Sequence, residues 1–78
     1  MTDTDLPPLI EIPLGIYRHY KGGEYEVIGI VRHSETLAPM TLYRALYGQR
    51  DLWVRPAEMF GESVEIDGIA QPRFRMIG

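Results

Sequence analysis

The run His33–Thr36 places an imidazole, two hydroxyls and a carboxylate side by side, and such groups can perform acid–base or nucleophilic chemistry. Consecutive residues of a strand point to opposite faces, so His33 and Ser34 do not form a nucleophile–base pair while a strand continues. The sequence therefore favours a loop in which Ser34, Glu35 and Thr36 bond backbone amides. A small polar pocket in this loop, with His33 as an adjustable donor, is a further hypothesis.

The stretch Leu42–Pro56 is a second candidate, because it carries aromatic side chains and arginines on alternating positions. Trp53 and Tyr47 offer flat rings for stacking, and Arg55 offers a planar guanidinium that binds phosphate or carboxylate through two hydrogen bonds. Exposed aromatic residues combined with arginine are typical of recognition surfaces. The ligand-binding residues predicted on this basis are Tyr25, His33, Tyr43, Tyr47, Trp53 and Arg55.

Neither a metal nor a cofactor is predicted. His19 and His33 are the only histidines, and the chain has no cysteine. A zinc site would need both histidines and two carboxylates, whereas the predicted strands place the imidazoles more than about 20 Å apart. The segment 21–24, "KGGE", lacks the strand-then-helix context of a phosphate loop and is typical of a hairpin turn.

Composition limits the class of protein. The chain has 78 residues and a net charge of −3, which argues against a general nucleic-acid binder. Residues 16–55 nevertheless carry six bases and four acids, so the aromatic part is also the basic part. The start lacks the pattern of a signal peptide, no apolar run reaches the ~20 residues of a membrane span, and the lack of cysteine fits a reducing compartment. The expected location is the cytoplasm.

Short strands separated by turn residues dominate the pattern. Strands are predicted over 15–20, 24–33, 40–48 and 52–56, with a loop over 34–39 and a bend at Gly29. Pro56 and Gly61 bracket a helical turn, and Asp67-Gly68 joins two further strands in a hairpin. Curling such strands removes open edges. The prediction is an all-β domain over 14–78, a small antiparallel SH3-like barrel of five or six short strands with one helical turn, preceded by an extended arm over 1–13.

The predicted register places Tyr47 opposite Trp53, Ala45 opposite Arg55 and Val31 opposite Tyr43. With that register the aromatic residues form a second face, and His33 lies on the same side as Tyr25. This face is either covered by the arm or the last hairpin as a second small core, or left partly open as a binding platform. Met59 and Phe60 are predicted to plug one end of the barrel. The aliphatic residues predicted to form the main core are Ile28, Ile30, Leu42, Leu46, Leu52 and Val54.

The segments "YRHYKG", "HSET", "LYG", "WVRPAEMF" and "PRF" resemble a family of small bacterial proteins known only as a domain of unknown function, family sixteen fifty-three. The resemblance covers Leu14 to Ile77. It implies a compact, mostly β fold and a cytoplasmic bacterial protein. It implies no activity and no catalytic residues.

Three functions are therefore compared. The first is a binding module whose aromatic and basic face holds a small anionic ligand, a nucleotide or an extended peptide. The second is a structural or assembly domain in which the same face is buried in a homodimer or against a partner protein. The third, and least favoured, is an enzyme that uses His33 and Glu35.

Overall fold

The fold consists of two antiparallel sheets and one helical turn. The computed structural model describes residues 8–10 and 12–78. The elements are β1 (Gly15–His19), β2 (Glu24–Arg32), β3 (Pro39–Ala45), β4 (Leu52–Pro56), α1 (Ala57–Phe60), β5 (Ser63–Ile66), β6 (Ile69–Pro72) and β7 (Phe74–Met76). Residues 8–10 and 12–14 form no helix or strand, and the rest of the predicted arm, 1–7 and 11, lies outside the described residues.

Turn chemistry explains why the chain reverses where it does. Asp67 and Gly68 both have positive φ, 52° and 80°, as a two-residue hairpin turn that matches the strand twist requires. Gly22, with φ of 107°, lies in the turn between β1 and β2, where its N–H donates to the His19 carbonyl. These two predicted turns are confirmed, as is the helical turn predicted between Pro56 and Gly61.

The all-β prediction is confirmed, and the five-stranded sheet remains open. Its strand order is β4-β3-β2-β1-β7, so β4 and β7 are edges, while β5 and β6 form a separate two-stranded sheet. The chain bends at Arg73 after Pro72, and β7 then pairs with β1. This bend divides the last predicted strand in two, because proline has no N–H to continue a ladder.

The predicted register of β3 and β4 is wrong by four residues. Trp53 lies opposite Tyr43 instead of Tyr47, and Arg55 lies opposite Thr41 instead of Ala45. The reason is that β3 ends at Ala45, so the connection to β4 is a loop and not a tight turn. Gly48 and Arg50 adopt positive φ within this loop.

The predicted assignment of the two faces is reversed. The aromatic face is the main core, in which Tyr17, Val27 and Tyr43 of the sheet pack against Phe60 and Phe74. The aliphatic face is the outer one, on which Ile28, Leu52 and Val54 are exposed. Aromatic side chains bury a large area, and α1 and β7 supply the rings that cover this face.

The helical turn α1 contributes Phe60 to the core. Phe60 is 2% exposed and stacks on Phe74 with ring centroids 4.1 Å apart, so its predicted core position is confirmed, although the open sheet has no barrel end for it to plug. Met59 is 39% exposed and does not share that role. No helix in the described part of the chain is long and apolar enough to cross a membrane.

Candidate functional site

A cleft of about 220 Å³ opens at the rim of the aromatic core, beside β4. The side chains that line it come from β2, β3, β4 and the loop after β3: Tyr25, Tyr43, Tyr47 and Trp53. Tyr43 is buried and forms the floor, whereas Tyr47 and Trp53 are more than half exposed and form the walls. The structure thus brings together four of the six residues predicted to bind a ligand, around a space that fits one planar ring.

Tyr25 holds the floor and one wall of the cleft in place. Its ring lies edge-on to Tyr43 and Tyr47, with centroids 5.4 and 5.5 Å apart. The phenol oxygens of Tyr25 and Tyr47 share a hydrogen bond of 2.5 Å. Burial, together with this hydrogen bond, raises the pKa of Tyr25 to about 12, so the Tyr25 phenol remains neutral at physiological pH.

Arg55 brings positive charge to the side of the cleft. Its guanidinium lies 5.7 Å from the centre of the Phe74 ring, in a cation–π contact, and its charge acts on both Tyr25 and His19. Its Nε is buried and has no hydrogen-bond partner among the described residues, and the same is true of the Nε of Arg73. A guanidinium also carries N–H donors on its two terminal nitrogens, and these can bind a carboxylate or phosphate.

His19 lies at the basic end of this region. Its ring packs edge-on against Phe74 with centroids 4.8 Å apart. Burial lowers the pKa of His19, and the nearby charges of Arg55, Arg73 and Lys21 lower it further. The imidazole is therefore neutral at pH 7, and its Nδ1 accepts a hydrogen bond from the Lys21 N–H.

The lowered pKa of His19 predicts a loss of stability in mild acid. The ordinary pKa of a histidine is 6.5, so His19 of the unfolded chain binds a proton near that pH, whereas His19 of the folded protein binds it only at lower pH. The contribution of His19 to the free energy of unfolding is thus fully present above about pH 6.5 and is lost as the pH falls through the lowered pKa. Urea unfolding at several pH values checks this: we expect the His19→Gln variant to lose less stability than the wild type between about pH 7.5 and 5.5. An equal loss in both proteins would contradict the prediction.

His33 does not join the cleft. A β-bulge interrupts the pairing of β2 with β3 between Val27 and Gly29, as the predicted bend at Gly29 requires. The extra residue shifts the side-chain alternation by one, so His33 falls on the opposite face from Tyr25 and at the far end of the strand. The expectation that these two residues share a side is therefore wrong.

The loop Ser34–Thr36 is held by its own hydrogen bonds. The N–H groups of Glu35 and Thr36 donate to His33 Nδ1 at 3.1 and 3.2 Å, and Ala38 donates its N–H to Thr36 Oγ1. The His33 nitrogen that accepts these bonds is occupied in shaping the loop. This arrangement matches the loop-forming role predicted for these polar residues.

A basic groove that sequence reasoning missed is lined by residues of β1, β6 and β7. Arg18 and Arg75 are directly opposite each other on these strands, and both line a groove of about 210 Å³ together with His19. Arg18 is paired with Glu24 at 2.8 Å. The alternation in "PRFRM" is the signal for it, but in the sequence this segment is continuous with the second strand of the predicted hairpin, and only the structure shows it as a separate strand beside β1.

The family of the chain follows from comparison with known proteins. The model of a family described as "Protein of unknown function (DUF1653)" matches residues 15–76, which include every strand of both sheets. The chain belongs to the DUF1653 family. The resemblance in the sequence is thereby confirmed.

The fold of this DUF1653 domain is also similar to a solved structure. A crystal structure of a DUF1653 protein from Bordetella bronchiseptica matches with a TM-score of 0.79 and 33% sequence identity. The match covers 87% of this chain and 90% of that one. The comparison with curated proteins finds no match. The family match thus agrees with the fold and assigns no function.

The side chains at the cleft are aromatic and are not metal ligands. No group of three or more His, Asp or Glu side chains in residues 8–10 and 12–78 is placed to hold a metal ion. What the cleft offers is aromatic surface with a guanidinium beside it. Such groups can hold a ligand through stacking and charge.

Proposed function

We propose that this DUF1653 domain is a binding module that takes one planar ring carrying an anionic group, as in a nucleoside monophosphate. The observation that carries the proposal is the cleft of Tyr25, Tyr43, Tyr47 and Trp53 with Arg55 at its side. The ring stacks against the exposed faces of Trp53 and Tyr47. The anionic group interacts with the Arg55 guanidinium, whose charge lies near Tyr25 at the side of the cleft.

The size of the cleft limits the ligand. Pockets for drug-sized molecules measure roughly 300–1,000 Å³, and this cleft of about 220 Å³ is smaller. It accommodates a single ring system and leaves the rest of the ligand outside. A mononucleotide, or one nucleotide of a longer strand, satisfies that limit.

Charge selects an anion over a cation. Aromatic cages also bind quaternary ammonium groups, through the negative faces of their rings. Here, however, no carboxylate of residues 8–10 and 12–78 lines the cleft, and Arg55 lies close enough to Tyr25 to affect its pKa. A cationic ligand would be repelled by this arginine, whereas a phosphate or carboxylate would be attracted.

An amide chemical-shift map of the labelled protein tests the proposal. We expect adenosine monophosphate to shift the signals of Tyr43, Tyr47, Trp53 and Arg55, adenosine to shift the aromatic residues more weakly, and inorganic phosphate to act mainly on Arg55. Binding of tetramethylammonium without binding of the nucleotide would reverse the charge argument. Shifts confined to His33–Thr36 would move the site to the loop. A silent map would contradict ligand binding and favour the assembly role.

A further inference from the structure

β4 is an edge strand with an unusually apolar exposed surface. It pairs with β3 on one side, and no described strand pairs with its other side. Its three consecutive residues Leu52, Trp53 and Val54 are 54, 55 and 53% exposed. Edge strands are commonly protected against pairing by lysine, proline or a bulge. β4 has no lysine, and its one proline is its last residue.

The free edge of β4 presents backbone groups at defined residues. The Ala45 N–H donates to the Asp51 carbonyl at 3.1 Å, so these two residues form a hydrogen-bonded pair. Hydrogen-bonded and non-bonded pairs alternate along an antiparallel ladder, so Trp53 and Arg55 also bond toward β3. Leu52 and Val54 therefore direct their N–H and C=O groups outward. Pro56 falls on the same outward side, where its missing N–H costs no bond to β3.

We propose that two copies of this chain pair through their β4 strands, antiparallel, about a two-fold axis at Trp53. In this register Leu52 lies opposite Val54 of the second copy, and the outward backbone groups of these residues bond to each other. The two Trp53 residues face each other as a non-hydrogen-bonded pair, in which side chains lie close together. Two-fold symmetry with an isologous interface is the commonest arrangement among soluble homo-oligomers.

Charge complementarity supports this register. Because the two-fold axis passes at Trp53, each residue lies opposite the residue equally far from Trp53 on the other side. Asp51 therefore lies opposite Arg55 of the second copy. Both side chains are on the cleft face, because they alternate with Leu52 and Val54. Opposite charges in such cross-strand positions stabilise a pair, whereas like charges destabilise it. The guanidinium has five N–H donors, so an ion pair with Asp51 leaves others for a ligand.

The pairing joins two five-stranded sheets into one continuous sheet. A two-fold axis perpendicular to the sheet keeps the same face of each copy on the same side. Both aromatic clefts then open on one surface, next to each other at the Trp53 pair. The dimer does not depend on the proposed ligand, and its test contains none.

Sedimentation of the full chain tests whether copies associate through β4. We expect the mass to rise from the 9.0 kDa of one chain toward twice that value as the concentration increases. Val54→Lys should remain at the mass of one chain, because a charge then faces Leu52 of the second copy. Ile69→Lys, at a 64% exposed residue of β6, should behave like the wild type. A wild-type protein that stays monomeric, or a Val54→Lys variant that still dimerises, would overturn the proposal.

Cross-linking tests the register, and the natural chain has no cysteine to interfere. Non-hydrogen-bonded cross-strand pairs bring Cβ atoms to about 4.5–5.5 Å, close to the separation that a disulfide spans. We expect Trp53→Cys to form a disulfide-linked dimer in mild oxidant, and Ile69→Cys to remain largely monomeric on the same non-reducing gel. Equal cross-linking of the two variants would show random collision and refute the register. No cross-link from Trp53→Cys, in a chain that dimerises, would place the interface elsewhere.

Discussion

Replacing Phe60 with alanine is expected to leave most of the protein unfolded at room temperature. Phe60 is 2% exposed, stacks on Phe74 and meets the Tyr17 ring edge-on at 5.3 Å. Removing such a side chain costs about 3–5 kcal/mol, through lost burial and the cavity that remains. The core of a domain this small rarely supplies more than about 3–5 kcal/mol of stability. The loss is thus as large as the whole margin.

Thermal unfolding followed by circular dichroism checks this expectation, with Met59→Ala as the matched control. Met59 is the neighbouring residue of the same helical turn, but it is 39% exposed. Its replacement should change the free energy of unfolding by no more than about 0.5 kcal/mol, as is usual for surface substitutions. A Phe60→Ala variant that melts cooperatively within a few degrees of the wild type would show that α1 is not part of the core.

Local chemistry explains the elements that could be predicted. The pair Asp67-Gly68 favours one hairpin turn, and Pro56 followed by Gly61 brackets one helical turn, whatever the rest of the chain does. Local residues do not determine which face of the sheet is buried. That depends on α1 and β7, which are distant in sequence from the central strands. Phe60 and Phe74 cover the aromatic side, and the position of Phe74 depends on the bend at Arg73. The sequence pattern alone contains no comparable signal.

Part of the candidate site is predictable from the sequence despite the wrong register of β3 and β4. A shift of four residues is even, so Tyr43, Trp53 and Arg55 stayed on one face although their partners were wrong. The bulge at Ile28 had the opposite effect, since a single extra residue moves His33 to the other face. Gly29 indicated a bend there. It did not indicate that the alternation would change.

Replacing Trp53 with alanine is expected to weaken nucleotide binding strongly without changing the fold. Loss of one stacked base costs about 1–3 kcal/mol, which is roughly a 5- to 150-fold increase in Kd. Trp53 is 55% exposed, so the free energy of unfolding should change little. Titration of adenosine monophosphate and urea unfolding of the same sample separate these effects. Unchanged affinity would place the base elsewhere, and a large loss of stability would make Trp53 a core residue.

The role of Trp53 can be separated from that of Arg55 by comparing two ligands. Trp53→Phe retains a flat ring and should recover part of the affinity for both adenosine monophosphate and adenosine. Arg55→Gln removes the charge, and it should weaken binding of the monophosphate while leaving adenosine nearly unaffected, since only the phosphate interacts with the guanidinium. An Arg55→Gln variant that weakens both ligands equally would show that Arg55 acts by packing on Phe74, where its guanidinium lies 5.7 Å from the ring centre. The aromatic walls would then be the whole of the binding site, and its preference for an anion would disappear.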